Sequence, residues 1–297
     1  IDKIKDTLSS FGLNESVTYS FTSPEFADKL HLTENDTART AIRIKNPIGE
    51  ALSVMRTTLT HSMLETLAYN ITHFNREASL FEISRVYLAR ELPLENLPYE
   101  EERLCIGAYG DGVDFYSVKS ALEEVFDALH IKAEYVRSKR EFLHPGRGAD
   151  VVVNGNVVGF VGEIHPRVAK EYGIDNVRLY CAEISVDKIL ARDNLEKSKF
   201  KPFSKFPTIE RDLAVVVDDS TNAAEIIGAV TGAKIKYLDD IRIFDTYKSD
   251  QIGRDKKSVG ISFSFSSLER TLTDDEIAEQ MSRILSVLKR KTGAKIR

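Results

Sequence analysis

Asn154-Gly155 stands between two β-branched runs, Val151-Val152-Val153 and Val157-Val158, the second continuing through Phe160-Val161. This pair restricts the fold more tightly than any other local feature of the chain. Adjacent turn residues that both accept positive φ specify a tight hairpin, so the flanking strands run antiparallel. The surrounding segments show no alternating strand–helix rhythm, which excludes a doubly wound parallel sheet.

Before the hairpin, Ile1, Ile4, Leu8 and Phe11 recur at helical spacing and Gly12 stops the helix. Glu15 to Phe21 alternates as a strand with Val17, Tyr19 and Phe21 on one face. Ser23-Pro24 opens a short helix, with Ser as cap and Pro at the first helical position. Ile42 to Lys45 is a second alternating run, stopped by Asn46-Pro47-Ile48-Gly49. Leu59, Met63, Leu64, Leu67, Ile71 and Phe74 form the apolar stripe of a long helix. Strands are expected at 79–88 and 104–109, separated by a Pro- and Glu-rich loop at 91–102, and a helix around Val118 to Leu129. After the hairpin, His165-Pro166 starts a short helix and Leu179 to Val186 makes a last strand.

A second unit begins at Phe206-Pro207. Its order is strand (211–217), helix (221–231), strand (237–247), strand (257–266), helix (274–291) and a short strand (294–297). That is the split βαβ, ferredoxin-like arrangement. The last helix is well specified, with Thr273-Asp274-Asp275-Glu276 as a capping box and Ile277, Met281, Ile284, Leu285 and Leu288 as its stripe. The expected organisation is an α+β domain over 1–195, a basic linker over 196–203 and a ferredoxin-like βαββαβ domain over 204–297. A length of 297 residues fits two domains. The chain opens on Ile1 in the middle of an amphipathic pattern, so a piece of a longer protein is expected.

No apolar run approaches the roughly 18 residues of a membrane helix, and no signal-peptide pattern is present. Cys105 and Cys181 are the only cysteines and lack a Cys-x-x-Cys spacing, which fits a reducing, cytoplasmic setting and argues against structural zinc. The net charge of −5 is unevenly spread. Residues 198–297 carry 18 Lys and Arg against 15 Asp and Glu, and residues 1–197 carry 23 against 31. A mildly basic second unit permits nucleic-acid contact, although a solvated mixed-charge surface accounts for the same numbers.

Candidate chemistry is sparse. His61 and Glu65 lie four apart on a helix, but two ligands do not make a metal site and a solvated polar edge is expected there. His144-Pro145-Gly146-Arg147-Gly148 could offer an anion site through His144, Arg147 and backbone N–H groups, or could simply position the hairpin. Phosphate-binding, nucleophile-elbow and metalloprotease motifs are missing. In the second unit, Val259, Ile261, Phe263 and Phe265 are expected to face the helices. Gly260, Ser262 and Ser264, with Arg242, Phe244 and Thr246 on the neighbouring strand, are expected on the open face. Such a face can accept a nucleic-acid backbone and stack one base, or be covered by a partner domain.

The ordered motifs then carry a resemblance. They are Val17-Thr18-Tyr19-Ser20-Phe21, Asn46-Pro47, Met55-Arg56, Asn70, Asn75-Arg76, Phe81-Glu82, Asp114-Phe115-Tyr116-Ser117-Val118-Lys119 and Leu143-His144-Pro145-Gly146. Gly159 to Pro166, Phe206-Pro207, Arg211 to Val217, Phe244-Asp245-Thr246-Tyr247 and Arg270-Thr271-Leu272 complete the set. Over essentially its whole length the chain resembles the C-terminal portion of bacterial phenylalanyl-tRNA synthetase β subunits.

The resemblance implies a class II synthetase-like, non-catalytic module followed by a ferredoxin-fold anticodon-binding domain. It implies that the α subunit performs ATP- and Mg²⁺-dependent phenylalanylation, with two αβ pairs in an (αβ)₂ assembly, and that this chain touches tRNA(Phe). The chain would then be part of an enzyme yet inactive alone, with no catalytic residue, no metal site and no cofactor of its own. Phe81-Glu82-Ile83-Ser84-Arg85 occupies the place of the class II motif that supplies an Arg for the ATP α-phosphate, and the Arg-x-Glu order is missing. The Gly-rich third motif is not found either. The family's editing domain and its magnesium-bearing module would precede Ile1. Arg211, Arg242, Phe244, Ser262 and Ser264 are the candidate RNA contacts. An active class II-like ligase using His144 and Arg147, and a pure interaction scaffold, are the competing readings.

Overall fold

A hairpin needs partners to bury its apolar faces, and the chain supplies them as a wide sheet clad in helices. A computed structural model describes residues 1–191 and 202–296 and shows two compact units. The expected linker at 196–203 lies outside the described residues except for Pro202 and Phe203. The first unit runs α1 (Asp2–Ser10), β1 (Asn14–Glu15), β2 (Phe21–Thr22), α2 (Phe26–Lys29), β3 (Val54–Met55), α3 (Thr60–Thr72), β4 (Ala78–Leu88) and β5 (Tyr99–Tyr109). It continues with α4 (Phe115–Ala128), β6 (Ala133–Arg137), β7 (Leu143–Val153), β8 (Asn156–Ile164), α5 (Pro166–Glu171), β9 (Tyr180–Ser185) and α6 (Val186–Ile189).

Seven strands form one sheet in the order β1-β4-β5-β9-β8-β7-β6, antiparallel except for the β1–β4 pair. Asn154 and Gly155 turn β7 into β8 at φ 48° and 77°, as the tight hairpin requires. Alternation then sends successive residues to opposite faces. Leu104, Ile106 and Ala108 of β5 join one core with Val118, Leu122 and Val125 of α4. Cys105 and Tyr109 join a second core with Met63, Leu64 and Leu67 of α3. The central strands are therefore buried on both sides.

Close approach sets two positions. A Cβ on Gly107 would lie 2.5 Å from Met63 Cγ, so α3 rests directly on β5. A Cβ on Gly159 would lie 2.0 Å from the Glu183 carbonyl oxygen, which is backbone and cannot swing away.

The second unit is β10 (Ile209–Asp218), α7 (Ala223–Thr231), β11 (Leu238–Tyr247), β12 (Lys256–Phe265), α8 (Asp274–Thr292) and β13 (Lys295–Ile296). Its sheet order β11-β12-β10-β13, antiparallel throughout, is the ferredoxin-like topology. Val259, Ile261, Phe263 and Phe265 pack against Ile226, Val230, Ile277, Ile284 and Leu288 of the helices. Thr273 and Glu276 cap α8 reciprocally, and Gly293 ends it at φ 65°. Arg270 donates to both oxygens of the Glu276 carboxylate, at 2.9 and 2.5 Å, which explains an Arg just before that cap.

Several expectations need correction. Glu15 to Phe21 is not one strand, since pairing stops at Glu15 and resumes at Phe21, leaving Val17 and Tyr19 exposed. Between them Ser16 donates to the Phe81 carbonyl, and Thr18 donates through its N–H and hydroxyl to Glu82, so side chains replace a ladder. Ile42 to Lys45 contributes only the bridge Arg43–Val54. The helix after Ser23-Pro24 starts at Phe26, although the Ser23 hydroxyl still accepts from the Glu25 N–H. The 91–102 stretch is loop only as far as Pro98, because β5 begins at Tyr99. Strand β6 has no counterpart in the sequence reading.

Replacing Gly159 with Ala forces β8 away from β9. A loss of about 3 kcal/mol is expected, measured as a lowered urea midpoint. Gly155→Ala should cost only about 1 kcal/mol, since only the turn is strained.

Candidate functional site

Four carboxylates are buried in the first unit: Glu82, Glu101, Glu163 and Glu183, each no more than 3% exposed. A buried carboxylate is costly unless an opposite charge and hydrogen bonds meet it. Each of these meets an arginine. Arg56, itself buried, lies 2.9 Å from Glu82 and also donates to the Arg85 carbonyl, Thr18, the Tyr19 carbonyl and Ser84. Arg103 bridges Glu101 and Glu183, at 2.6 Å to each. Arg147 donates to Glu163 at 2.5 Å.

Glu183 is the most heavily engaged. Its second oxygen accepts from the Thr58 and Thr60 hydroxyls and from the N–H groups of Leu59 and Thr60, so it also caps the start of α3. Burial alone would raise its pKa. The Arg103 charge and the threonine donors outweigh burial and hold the carboxyl below the usual carboxylate range.

Glu101, Arg103, Glu183, Thr58 and Thr60 line a cleft of about 180 Å³ that also includes Arg140, Phe142, Phe160 and Lys188. Arg140 is bound too, 2.9 Å from Asp150 and packed over the Phe160 ring. An incoming phosphate would meet Arg103 held by two buried carboxylates, Arg140 held by Asp150 and Lys188 3.9 Å from Glu101. Nearby, Glu82 turns to Arg56, and Arg85 is exposed and paired with Glu100 at 2.8 Å.

The other candidates of the first unit resolve into local structure. The His144 ring nitrogen accepts from the Gly146 N–H, and its ring stacks towards that of His165, while Arg147 is held by Glu163. His61 is not on a solvated edge: it is buried, 2.7 Å from the Tyr172 hydroxyl and 3.3 Å from Glu65. The β5 and β9 strands bring Cys105 and Cys181 to 3.7 Å, both reduced and buried. Among the described residues no three His, Cys, Asp or Glu side chains gather as a metal site.

In the second unit, cross-strand register fixes which residues share the sheet face away from the helices. Ser262 pairs with Asp212 on one side and Arg242 on the other, and Ser264 with Glu210 and Asp240. Ser262 is sunk between its neighbours at 6% exposure, whereas Arg242 stands exposed and Ser264 is half-buried. A bulge in β11 sets Phe244 and Asp245 against Gly260. Phe244 is 53% exposed, and its ring edge would lie 2.9 Å from a Cβ on Gly260, so the missing side chain lets the ring approach the sheet.

The bulge moves Thr246 opposite Val259, on the helix side, and brings Tyr247 onto the open face opposite Ser258. Arg211 is not on that face. It pairs with Phe263, on the helix side, and donates to Asp274 at 2.7 Å. Arg242, Phe244, Ser262 and Ser264 are thus brought together, joined by Tyr247, Asp245, Glu210, Asp212 and Asp240. Tyr247 was missed because alternation counts through a bulge.

The lowered pKa of Glu183 has a pH consequence. The unfolded chain takes up this proton first as pH falls, so the Glu183 contribution is full above the ordinary carboxyl value of 4.5 and is lost below it. Glu183→Gln is expected to cost about 3 kcal/mol at pH 7 and to flatten the acid limb of stability. Urea unfolding from pH 7 to pH 3 measures both.

Two family models match the chain. Residues 1–186 match the phenylalanyl tRNA synthetase beta chain CLM domain, and residues 204–297 the ferredoxin-fold anticodon binding domain. The chain is 38% identical over 298 residues to the phenylalanine–tRNA ligase beta subunit of Clostridium acetobutylicum and 39% identical to that of Clostridium tetani, covering 100% of this chain and 37% of each relative. The Bacillus cereus beta subunit is 34% identical over 308 residues, with 99% of this chain and 37% of the relative covered. The chain therefore spans little more than a third of the length of the curated relatives it matches. On these matches, and with the ferredoxin-like unit in place, the chain belongs to the phenylalanyl-tRNA synthetase β chain family.

Proposed function

We propose that the chain is the part of a phenylalanine–tRNA ligase β subunit that supports a catalytic α subunit and holds tRNA(Phe), without performing chemistry itself. The carrying observation is the engagement of the cleft arginines. Arg103 and Arg140 are both bound by carboxylates, and the cleft lining matches Asp36, Glu101 and Glu183 against Arg103, Arg140 and Lys188. A triphosphate finds no surplus positive charge there, and drawing Arg103 away would strand two buried carboxylates at a cost of several kcal/mol. A stand-alone class II-like ligase needs arginines free for phosphate.

The second unit supports the tRNA role. Phe244 lies against Gly260 with half of its surface free, beside Arg242 and Tyr247, as a platform on which a base can stack. Val17, Tyr19, Tyr69 and Phe74 of the first unit are all more than 60% exposed, which suits docking onto another subunit. In the complete enzyme, ATP and Mg²⁺ would act on the α subunit, within a cytoplasmic (αβ)₂ assembly. No helix among the described residues is long and apolar enough to cross a membrane.

The test is co-expression with a phenylalanine–tRNA ligase α subunit. The two chains should co-purify, and this chain alone should show no phenylalanine-dependent ATP–pyrophosphate exchange. Exchange by the chain alone contradicts the reading, as does failure to co-purify. Phe244→Ala is expected to weaken tRNA(Phe) binding by about 1–3 kcal/mol in a filter-binding titration.

A further inference from the structure

The open face of the second unit is poorly suited to a phosphate backbone. Glu210, Asp212, Asp240 and Asp245 are exposed there, and no ion pair engages any of them among the described residues. Arg242 is the cation set among them. Neutral bases can lie on Phe244, but a phosphodiester chain crossing this face meets more negative than positive charge.

Four other cations of the unit are held by carboxylates. Arg211 pairs with Asp274, Lys248 with Asp219, Lys256 with Asp218 and Arg270 with Glu276. The concentration of uncommitted charge is elsewhere, at the end of α8 and the start of β13. Lys289, Arg290, Lys291 and Lys295 are all exposed, and none has a carboxylate within ion-pairing distance among the described residues. The macrodipole of α8 accounts for cations in its last turn. It does not account for Lys295, which lies beyond the helix on β13. There Lys295 pairs with Val216 and so falls on the open-face side of the sheet edge.

Lys289 and Lys295 border one groove of about 380 Å³ together with Ser282 and Ser286. Arg290 and Lys291 border a second groove across the helix, where Glu225 is the carboxylate facing them and is itself held in the cap of α7. The strip therefore wraps the end of α8. Its member on β13, Lys295, lies three strand spacings from β11, about 14 Å.

Resting on the tRNA reading above, we propose that Lys289, Arg290, Lys291 and Lys295 form the phosphate track of the second unit. The RNA backbone is neutralised along this strip, while its bases reach the sheet face at Phe244. Affinity and base contact are thereby divided between two surfaces of one small domain.

The two roles separate by salt. Binding of the whole chain to the anticodon stem-loop RNA of tRNA(Phe) is measured by fluorescence anisotropy from about 50 to 200 mM KCl. The plot of log K against log salt should become shallower by about 0.7 for each lost phosphate contact. With all four cations changed to Gln, which keeps helix propensity, the slope should fall by about 2–3. Phe244→Ala should lower affinity at every salt concentration and leave the slope unchanged. If the fourfold variant fails to fold by thermal unfolding, Lys291→Gln and Lys295→Gln singly should each remove about 0.7 from the slope.

An unchanged slope in the cation variants overturns the track while leaving the tRNA reading in place if Phe244→Ala still weakens binding. Loss of neither slope nor affinity in any variant overturns both. Anionic phospholipid vesicles form a control arm. If the fourfold change abolishes vesicle binding but leaves the RNA slope intact, the strip serves a membrane surface and the proposal fails.

Discussion

Each carboxylate sealed inside the seven-stranded sheet obliges an arginine to stay with it, and much of the first unit follows from that pairing. Removing a buried ion's partner costs about 3–5 kcal/mol, a large share of the stability of an ordinary domain. Arg56 therefore stays on Glu82, tying the segment from Thr18 to Tyr19 to β4. Arg103 stays between Glu101 and Glu183, and Glu183 in turn fixes the start of α3. The cations that could have received a nucleotide are spent on the architecture of the sheet. A cleft whose arginines are held by carboxylates supports the scaffold role proposed above over a phosphoryl-handling site.

The second unit solves a different problem with a simpler fold. Its helices bury one face of a four-stranded sheet and leave the other to solvent, where charge and shape can be used for recognition. Phe244 is placed by two backbone features, the bulge in β11 and the missing side chain at Gly260. Carboxylates surround it, and Lys289, Arg290, Lys291 and Lys295 cluster at the end of α8 and on β13. Under the proposed tRNA role, selection of bases and attraction of backbone are separable, because one depends on stacking and the other on salt-sensitive charge.

The sequence showed periodic elements well and side-chain pairing hardly at all. The six elements of the second unit fall within two residues of their expected bounds, because alternation, capping box and helix stripe all agree there. The hairpin was legible from turn chemistry, since Asn154 and Gly155 both accept positive φ between two β-branched runs. The segment from Ser16 to Ser20 was not, since its alternation is real but its hydrogen bonds go to Glu82 and the Phe81 carbonyl rather than to a strand. The start of β5 was hidden because Glu100-Glu101-Glu102 looks like a solvated loop until Arg103 and Ser185 are seen to enclose Glu101. Pairing across 80 residues, as between Arg103 and Glu183, leaves no local signature. Alternation alone placed Arg242, Phe244, Ser262 and Ser264 on one face, whereas Arg211 sits on the helix side because β10 alternates without a break.

The division of labour between the two units is tested most directly by photo-crosslinking. The chain is irradiated with tRNA(Phe), digested, and the crosslinked peptides are identified by mass spectrometry. Base crosslinks are expected in the peptide spanning Arg242 to Tyr247. Crosslinks concentrated instead in the cleft of the first unit, at Arg103, Arg140 or Phe160, would contradict the account.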